Sequence, residues 1–445
     1  MYSYELGIHK RWSDIPLSIK LLPILIFETY LSLTVLLFAF GPWPWPVSNT
    51  LQLYTFIVAV HIALAAGYLT GMNGKCSKAG SNKTNLKYLV RYSILISIIL
   101  YFPTVYSRTG SILPGVFHGI TSIGEAYRHA VEISFSGGKF VYVEYLRILV
   151  APITALAIPI IMINWHLWSK IYRISAVLLI LANVAMYLAM GTNKGVADTV
   201  LTLPWLVVLG YFSRGIRITK IGWIWIISIA TVAFIGATLF FVIGQTQRYG
   251  AGAISGSFGY PLNIHTDRNQ PYYALLPKQL AIFYESISRY MCQGYYALSL
   301  ALRMTFHSTY GLGNSMFLYR EATNWFGLGS IVNQSYPSRL GSQYGWGMYH
   351  LWDTAYVWIA SDVGFIGCLF VIFFIGRWLC SSWKDTITVR DPRAAVVFYF
   401  LLIIIFYLPA NNQITQDGET FTAFFVVLSW WLICRNGVVL KKYYF

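Results

Sequence analysis

The sequence predicts an all-α integral membrane protein: one polytopic domain over residues 1–445, with about ten transmembrane helices. Three observations carry this. Hydrophobic residues are 57% of the chain and charged residues 11%, where a soluble domain holds about 25% charged, and mean hydropathy is +0.57. Apolar runs long enough for a hydrocarbon core of roughly 30 Å recur along the whole length. Lys and Arg fall in alternate connections, as a fixed orientation requires.

The apolar runs lie near 20–40, 51–71, 88–107, 145–164, 171–190, 196–212, 221–243, 354–376, 394–410 and 420–435. One set of connections holds Lys10, Arg11 and Lys20; Lys75, Lys78, Lys83 and Lys87; Lys170 and Arg173; Arg214, Arg217 and Lys220; Arg377, Lys384, Arg390 and Arg393; and Arg435, Lys441 and Lys442. That side is expected to be cytoplasmic and to include both termini. The first eighteen residues are polar and charged and the first apolar run is long, so no cleavable signal peptide is expected.

The opposite side receives two elaborations, a lesser loop at 108–144 and a large one at 245–352. The lesser one predicts a short helix over Ile123–Ile133, whose Glu125, Arg128, His129 and Glu132 share a face read as solvated. The large one opens with a Gly-rich passage over Gly250–Gly259, read as a loop. Its apolar spacing near 280–304 predicts an amphipathic helix lying on the membrane surface, with Glu285 and Arg289 one turn apart. From Thr305 to Tyr349 an irregular, aromatic-rich stretch is expected, with rings suited to stacking on sugar faces.

Nineteen of the 32 basic residues belong to the cytoplasmic set. The large loop carries Arg248, Arg268, Lys278, Arg289, Arg303, Arg320 and Arg339 against only Asp267, Glu285 and Glu321. These cations run against the orientation rule, so something other than topology requires them. Basic and aromatic groups above a bilayer suit a substrate with an anionic head, a sugar and a lipid tail. Only Cys292 of the five cysteines falls in an extracytoplasmic loop, and no metal or nucleotide motif is present. No cofactor, metal or nucleic-acid partner is therefore expected. Within the bilayer, Glu28, His61, Asp198 and Asp362 are read as hydrogen-bonding neighbouring helices.

Moving a glycan from a polyprenyl diphosphate requires cations at the leaving group and a base for the acceptor hydroxyl. Arg suits the first task because its planar fork pairs with phosphate oxygens and keeps its proton. Three stretches here resemble the O-antigen polymerase and ligase families. Asp353-Thr-Ala-Tyr through Gly364-Phe-Ile-Gly367 looks like the segment by which these proteins re-enter the membrane after their large periplasmic loop. Ligases write His where this chain has Asp353, and His350 lies three residues earlier on what would be a shared helical face. Gly191-Thr-Asn-Lys194-Gly195 looks like the families' Ser-Arg-Gly turn, with Lys for Arg. Arg289, then Tyr295-Tyr-Ala-Leu and Gly311-Leu-Gly313-Asn-Ser-Met-Phe317, is similar to their Arg helix and Gly-rich turn. Arg248 with Gly259 matches a looser Arg-x10-Gly spacing.

The resemblance implies a polymerase of the Wzy type with a GT-C-like fold in the bacterial inner membrane. It would act at the periplasmic face on undecaprenyl-diphosphate-linked donor and acceptor, in contact with membrane lipid and a chain-length regulator, by an inverting, metal-independent displacement. It makes Asp353 the first and His350 the second candidate base. Arg289, Arg248 and Lys194 would hold the diphosphate, with Arg303, Arg320 and Arg339 in support. An O-antigen ligase acting on lipid A core, a lipid-linked oligosaccharide flippase and a non-catalytic assembly factor are the alternatives.

Overall fold

A computed structural model of the chain describes residues 11–77, 83–135, 141–216, 218–249, 256–270, 273 and 275–436. It is helical at every expected apolar run. In chain order the first helices are α1 (Leu17–Phe40), α2 (Thr50–Asn73), α3 (Lys83–Thr109), α4 (Val116–Thr121), α5 (Ile123–Phe135), α6 (Val141–Thr154), α7 (Ala157–Ile163), α8 (Lys170–Ala189), α9 (Lys194–Arg214) and α10 (Lys220–Tyr249). A two-stranded hairpin follows, β1 (Ser257–Phe258) antiparallel to β2 (Ile264–His265). Then come α11 (Lys278–Ala301), α12 (Met316–Phe326), α13 (Gly329–Val332), α14 (Tyr336–Tyr344), α15 (Ala355–Val389), α16 (Pro392–Tyr407), α17 (Gln413–Gln416) and α18 (Gly418–Arg435).

Among the described residues, eight helical spans are long and apolar enough to cross a membrane. The last two of the ten expected spans are shorter. Helix α16 has 16 residues, about 24 Å at 1.5 Å per residue, because Pro409 follows its end and withholds a donor. Helix α18 has 18 residues.

The centre of the bundle is the α2–α15 contact, made close by glycine. A Cβ on Gly67 would stand 1.9 Å from the Phe373 carbonyl oxygen, and one on Gly376 would stand 2.2 Å from that of Leu64. Small residues at such positions let helix backbones touch, the usual source of packing energy between apolar helices. The pair is closed at one end by Lys384, fully buried on α15, which donates to the carbonyls of Gly71 at 2.7 Å and Gly74 at 2.6 Å. An ammonium there satisfies orphan carbonyls and meets the negative end of the α2 dipole.

At the other end, the large polar segment caps the bundle. Its amphipathic helix, α11, does not lie on the surface as expected. Cys292, Ala297, Leu298 and Ala301 are fully buried, and Tyr295 Oη meets Thr34 Oγ1 of α1 at 2.8 Å. Gly294 permits this insertion, since a Cβ would lie 2.4 Å from the Pro409 carbonyl oxygen. The stretch expected to be irregular forms α12, α13 and α14 instead. Ser315 Oγ caps α12 by accepting from Leu318 N at 3.1 Å, and Thr354 Oγ1 caps α15 by accepting from Val357 N at 3.4 Å. The lesser loop forms α4 and α5, and Glu125, Arg128, His129 and Glu132 are exposed as expected. Gly250–Ser255, and the basic Lys10, Lys78, Arg217, Lys441 and Lys442, lie outside the described residues.

Candidate functional site

The described residues among the eight singled out from sequence have different partners and surroundings. Asp353 lies in the non-helical run just before α15 and is 1% exposed. Among the described residues neither of its carboxylate oxygens has a hydrogen-bond partner. Burial pushes its pKa well above the ordinary carboxylate value. An ionised carboxylate so placed would cost far more than the roughly 1–3 kcal/mol of an unpaired neutral polar group, so the resting group is the acid. His350 is exposed, in a turn where its amide donates to the Gly347 carbonyl at 3.0 Å. The segment is not helical there, which corrects the expectation that His350 and Asp353 share a face.

Arg289 sits on α11 with its guanidinium 4.1 Å from the centroid of the Phe258 ring. Phe258 is fully buried and stacks on Trp346 at 5.8 Å, while Trp43 and Trp45 meet its edge. The cation therefore rests on an aromatic platform that is itself rigid, an arrangement worth up to about 2 kcal/mol when desolvated. Glu285, one turn earlier and fully buried, takes Arg268 at 3.2 Å, Thr266 Oγ1 at 3.0 Å and Tyr273 Oη at 3.0 Å. Many loop aromatics thus spend their faces on each other. Among the described residues of the large loop, Tyr260, Phe306, Tyr310, Trp325, Phe326 and Tyr349 are exposed.

Lys194 begins α9 and is ion-paired with Asp417, which stands just before α18. Beside it is a network invisible to motif reading. Arg108 at the end of α3 meets Glu144 of α6 at 2.9 Å, Arg147 meets the same carboxylate at 3.1 Å, and Arg147 also binds Glu419. Three cations and three carboxylates from four helices and the residue before α18 thus converge at the bundle end capped by the polar segment. Only spatial proximity groups them, since each alone looks like an interfacial charge. Of the supporting arginines, Arg320 is exposed, Arg303 donates to Ser48 Oγ at 2.9 Å and Arg339 donates to the Thr305 carbonyl at 2.7 Å. The side chain of Arg248 lies outside the described residues.

Asp362 proves to serve the Gly-rich turn rather than a neighbouring helix. It accepts from the amides of Gly311 at 2.8 Å and Gly313 at 3.0 Å and from Asn314 Nδ2 at 2.5 Å. Two residues on, α15 is broken at Gly364, whose φ of 72° only glycine adopts readily. The carbonyls freed by the break are taken up by the same turn, Ser361 by Thr309 N at 3.1 Å and Asp362 by Ser308 Oγ at 2.9 Å. Within the membrane, Glu28 of α1 and His61 of α2 hydrogen-bond each other as expected.

The fold and its charged end define a multi-pass, all-α membrane protein with a polar cap on one face. No protein-family model, curated protein or solved structure matches the chain.

Proposed function

We propose that this protein polymerises lipid-linked oligosaccharide repeat units, moving a growing glycan from undecaprenyl diphosphate onto an incoming unit at the periplasmic face of the inner membrane. The observation that carries the reading is Asp353, a buried carboxyl without a partner among the described residues, at the junction of the polar cap and α15. Buried unpaired ionisable groups are costly to a fold, which makes such a position a candidate for function. A desolvated carboxylate, once ionised, is a stronger base than one in water, which suits abstraction from a sugar hydroxyl.

In the proposed step the acceptor oxygen bonds to the donor's anomeric carbon as that carbon's bond to the diphosphate oxygen breaks. Asp353 first gives up its own proton to solvent as the polar substrate enters and hydrates the site; the resulting carboxylate then takes the hydroxyl proton, and the bonding pair leaves with the diphosphate. Arg289 on its aromatic platform is the principal cation for that charge, with Arg248, Arg303, Arg320 and Arg339 as further candidates. Lys194 contributes by exchanging Asp417 for a phosphate oxygen, which makes it the weaker ligand, because a paired cation must first give up its partner.

The test is deletion of the gene in its host, with complementation by wild type and by Asp353→Asn, read on a lipopolysaccharide gel. Collapse of the ladder to core plus one repeat, rescued by wild type alone, is the expected result. Loss of every repeat would favour a ligase or flippase, and an unchanged ladder would remove the polymerase reading for this polymer.

A further inference from the structure

At the end of the bundle opposite the polar cap, four basic side chains from three parts of the chain converge without an acidic partner among the described residues. Gly210 of α9 packs against the end of α7, where a Cβ would lie 3.2 Å from the Ile163 carbonyl oxygen. That contact brings Arg214, one turn further along α9, beside the 164–168 turn and its His166. Arg173, in the first turn of α8, folds back over the same turn and donates to the carbonyls of Trp168 at 2.8 Å and His166 at 3.3 Å. Arg390, which ends α15, donates to the carbonyl of Ser213 at 3.1 Å, next to Arg214. Arg214 itself donates to the Gly210 carbonyl at 3.2 Å.

Each guanidinium is held by backbone carbonyls at or near helix ends, which explains how like charges are kept together. Carbonyls are dipoles, and they leave the net charge in place. Among the described residues none of these three arginines pairs with a carboxylate. Asp391 is next to Arg390 in sequence, but its carboxylate is taken by the Arg393 guanidinium at 2.8 Å and by the Arg393 backbone amide at 3.0 Å. The effect is felt at His166: partial burial, then Arg214, Arg390 and Arg173, hold its pKa below the ordinary value. Guanidinium N–H groups not used on carbonyls remain to be satisfied by an anion with several acceptor oxygens.

The surroundings say what carries that anion. Beside the cluster, Leu167, Ile171 and Ile174 are exposed apolar residues on the turn and the outward face of α8, at 41%, 75% and 58%. Trp165, under the Arg173 guanidinium at 5.8 Å, stands at the boundary. A phosphate at the arginines would have its acyl chains lying along α8. Basic pockets between helix ends are the usual recognition device for anionic headgroups.

We propose that His166, Arg173, Arg214 and Arg390 bind the phosphate of an anionic lipid headgroup, about 30 Å along α9 from Lys194 at its 1.5 Å rise per residue. The site is independent of the polymerase reading. Native mass spectrometry of the purified, delipidated full chain tests it, using phosphatidylglycerol, phosphatidylcholine and inorganic phosphate as probes. Wild type is expected to bind phosphatidylglycerol at least about tenfold more tightly than phosphatidylcholine. The triple variant R173Q/R214Q/R390Q should lose that preference, while Arg377→Gln, which removes an exposed cation elsewhere, keeps it. Should the triple variant not fold, R173K/R214K/R390K keeps the charge but not the fork and should bind several-fold more weakly. Equal binding of the two lipids, or equal loss in Arg377→Gln, overturns the proposal. Variant-sensitive binding of inorganic phosphate without preference between the lipids assigns the site to a soluble phosphate and overturns the lipid reading.

Discussion

Lys194 and Asp417 stand 223 residues apart and form an ion pair where α9 and α18 begin. Burial by itself would raise the Asp417 carboxyl, but the Lys194 ammonium outweighs it and lowers the pKa to about 2. A carboxylate whose folded pKa is depressed contributes stability that is complete above its unfolded value of about 3.9 and disappears as pH falls towards 2. Asp417 is 49% exposed, so solvent screening reduces the contribution to the order of 1 kcal/mol. Thermal unfolding of detergent-solubilised wild type and Asp417→Asn should therefore differ at pH 7 and converge only as pH falls to about 2. Parallel curves across that range would show that the pair does not stabilise the fold.

Asp362 supports a different kind of order. Replacing it with Ala strands the Gly311 and Gly313 amides and loosens the turn whose Asn314 carbonyl also accepts from Asn412 Nδ2 at 2.7 Å and Thr415 Oγ1 at 2.9 Å. Losing several charge-assisted bonds at once should cost about 2–4 kcal/mol. Limited proteolysis should then cut near Tyr310, which is already 81% exposed, well before the helices are attacked. Unchanged proteolysis would mean the turn is held by packing alone.

The helices were legible in the sequence because hydrophobic length is a property of local composition, and the ten runs required no tertiary knowledge. What failed was whatever depends on a partner distant in sequence. Helix α11 reads as a surface helix by its periodicity, yet Thr34, Asn49 and Pro409 enclose its second half. The aromatics of 305–349 read as an open stacking surface, whereas Trp346 and Tyr336 are core residues. Asp353 was singled out by resemblance to a motif, but its isolation in the interior is a tertiary fact. The Arg108, Glu144, Arg147 and Glu419 network left no pattern at all, since its members come from three helices brought together by packing.

Arg289 tests how much of the aromatic platform serves the cation. Phe258 and Trp346 pack against each other whether or not the guanidinium is present, so Arg289→Ala should leave the protein folded and in the membrane while polymerisation is lost. Arg289→Lys should fail to restore a full ladder, because an ammonium keeps the charge but not the paired donors a diphosphate uses. A normal ladder in Arg289→Ala would exclude this residue from the leaving-group site.

Asp353 separates catalysis from stability most sharply. Its resting carboxyl is neutral and unpaired, so Asp353→Asn replaces one uncharged, unsatisfied group by another of the same shape, and the melting temperature should barely move. Asp353→Leu removes the unsatisfied group altogether and should be neutral or stabilising by about 1–3 kcal/mol, if the side chain fits. Both variants lack a base, and the loss of a positioned base lowers rates by about 10²–10⁴, enough to erase the ladder. Stable protein with no polymer is thus the expected outcome for both. Loss of stability in Asp353→Asn would show instead that the carboxyl is ionised and held by contacts, and a normal ladder in either variant would take the base away from Asp353.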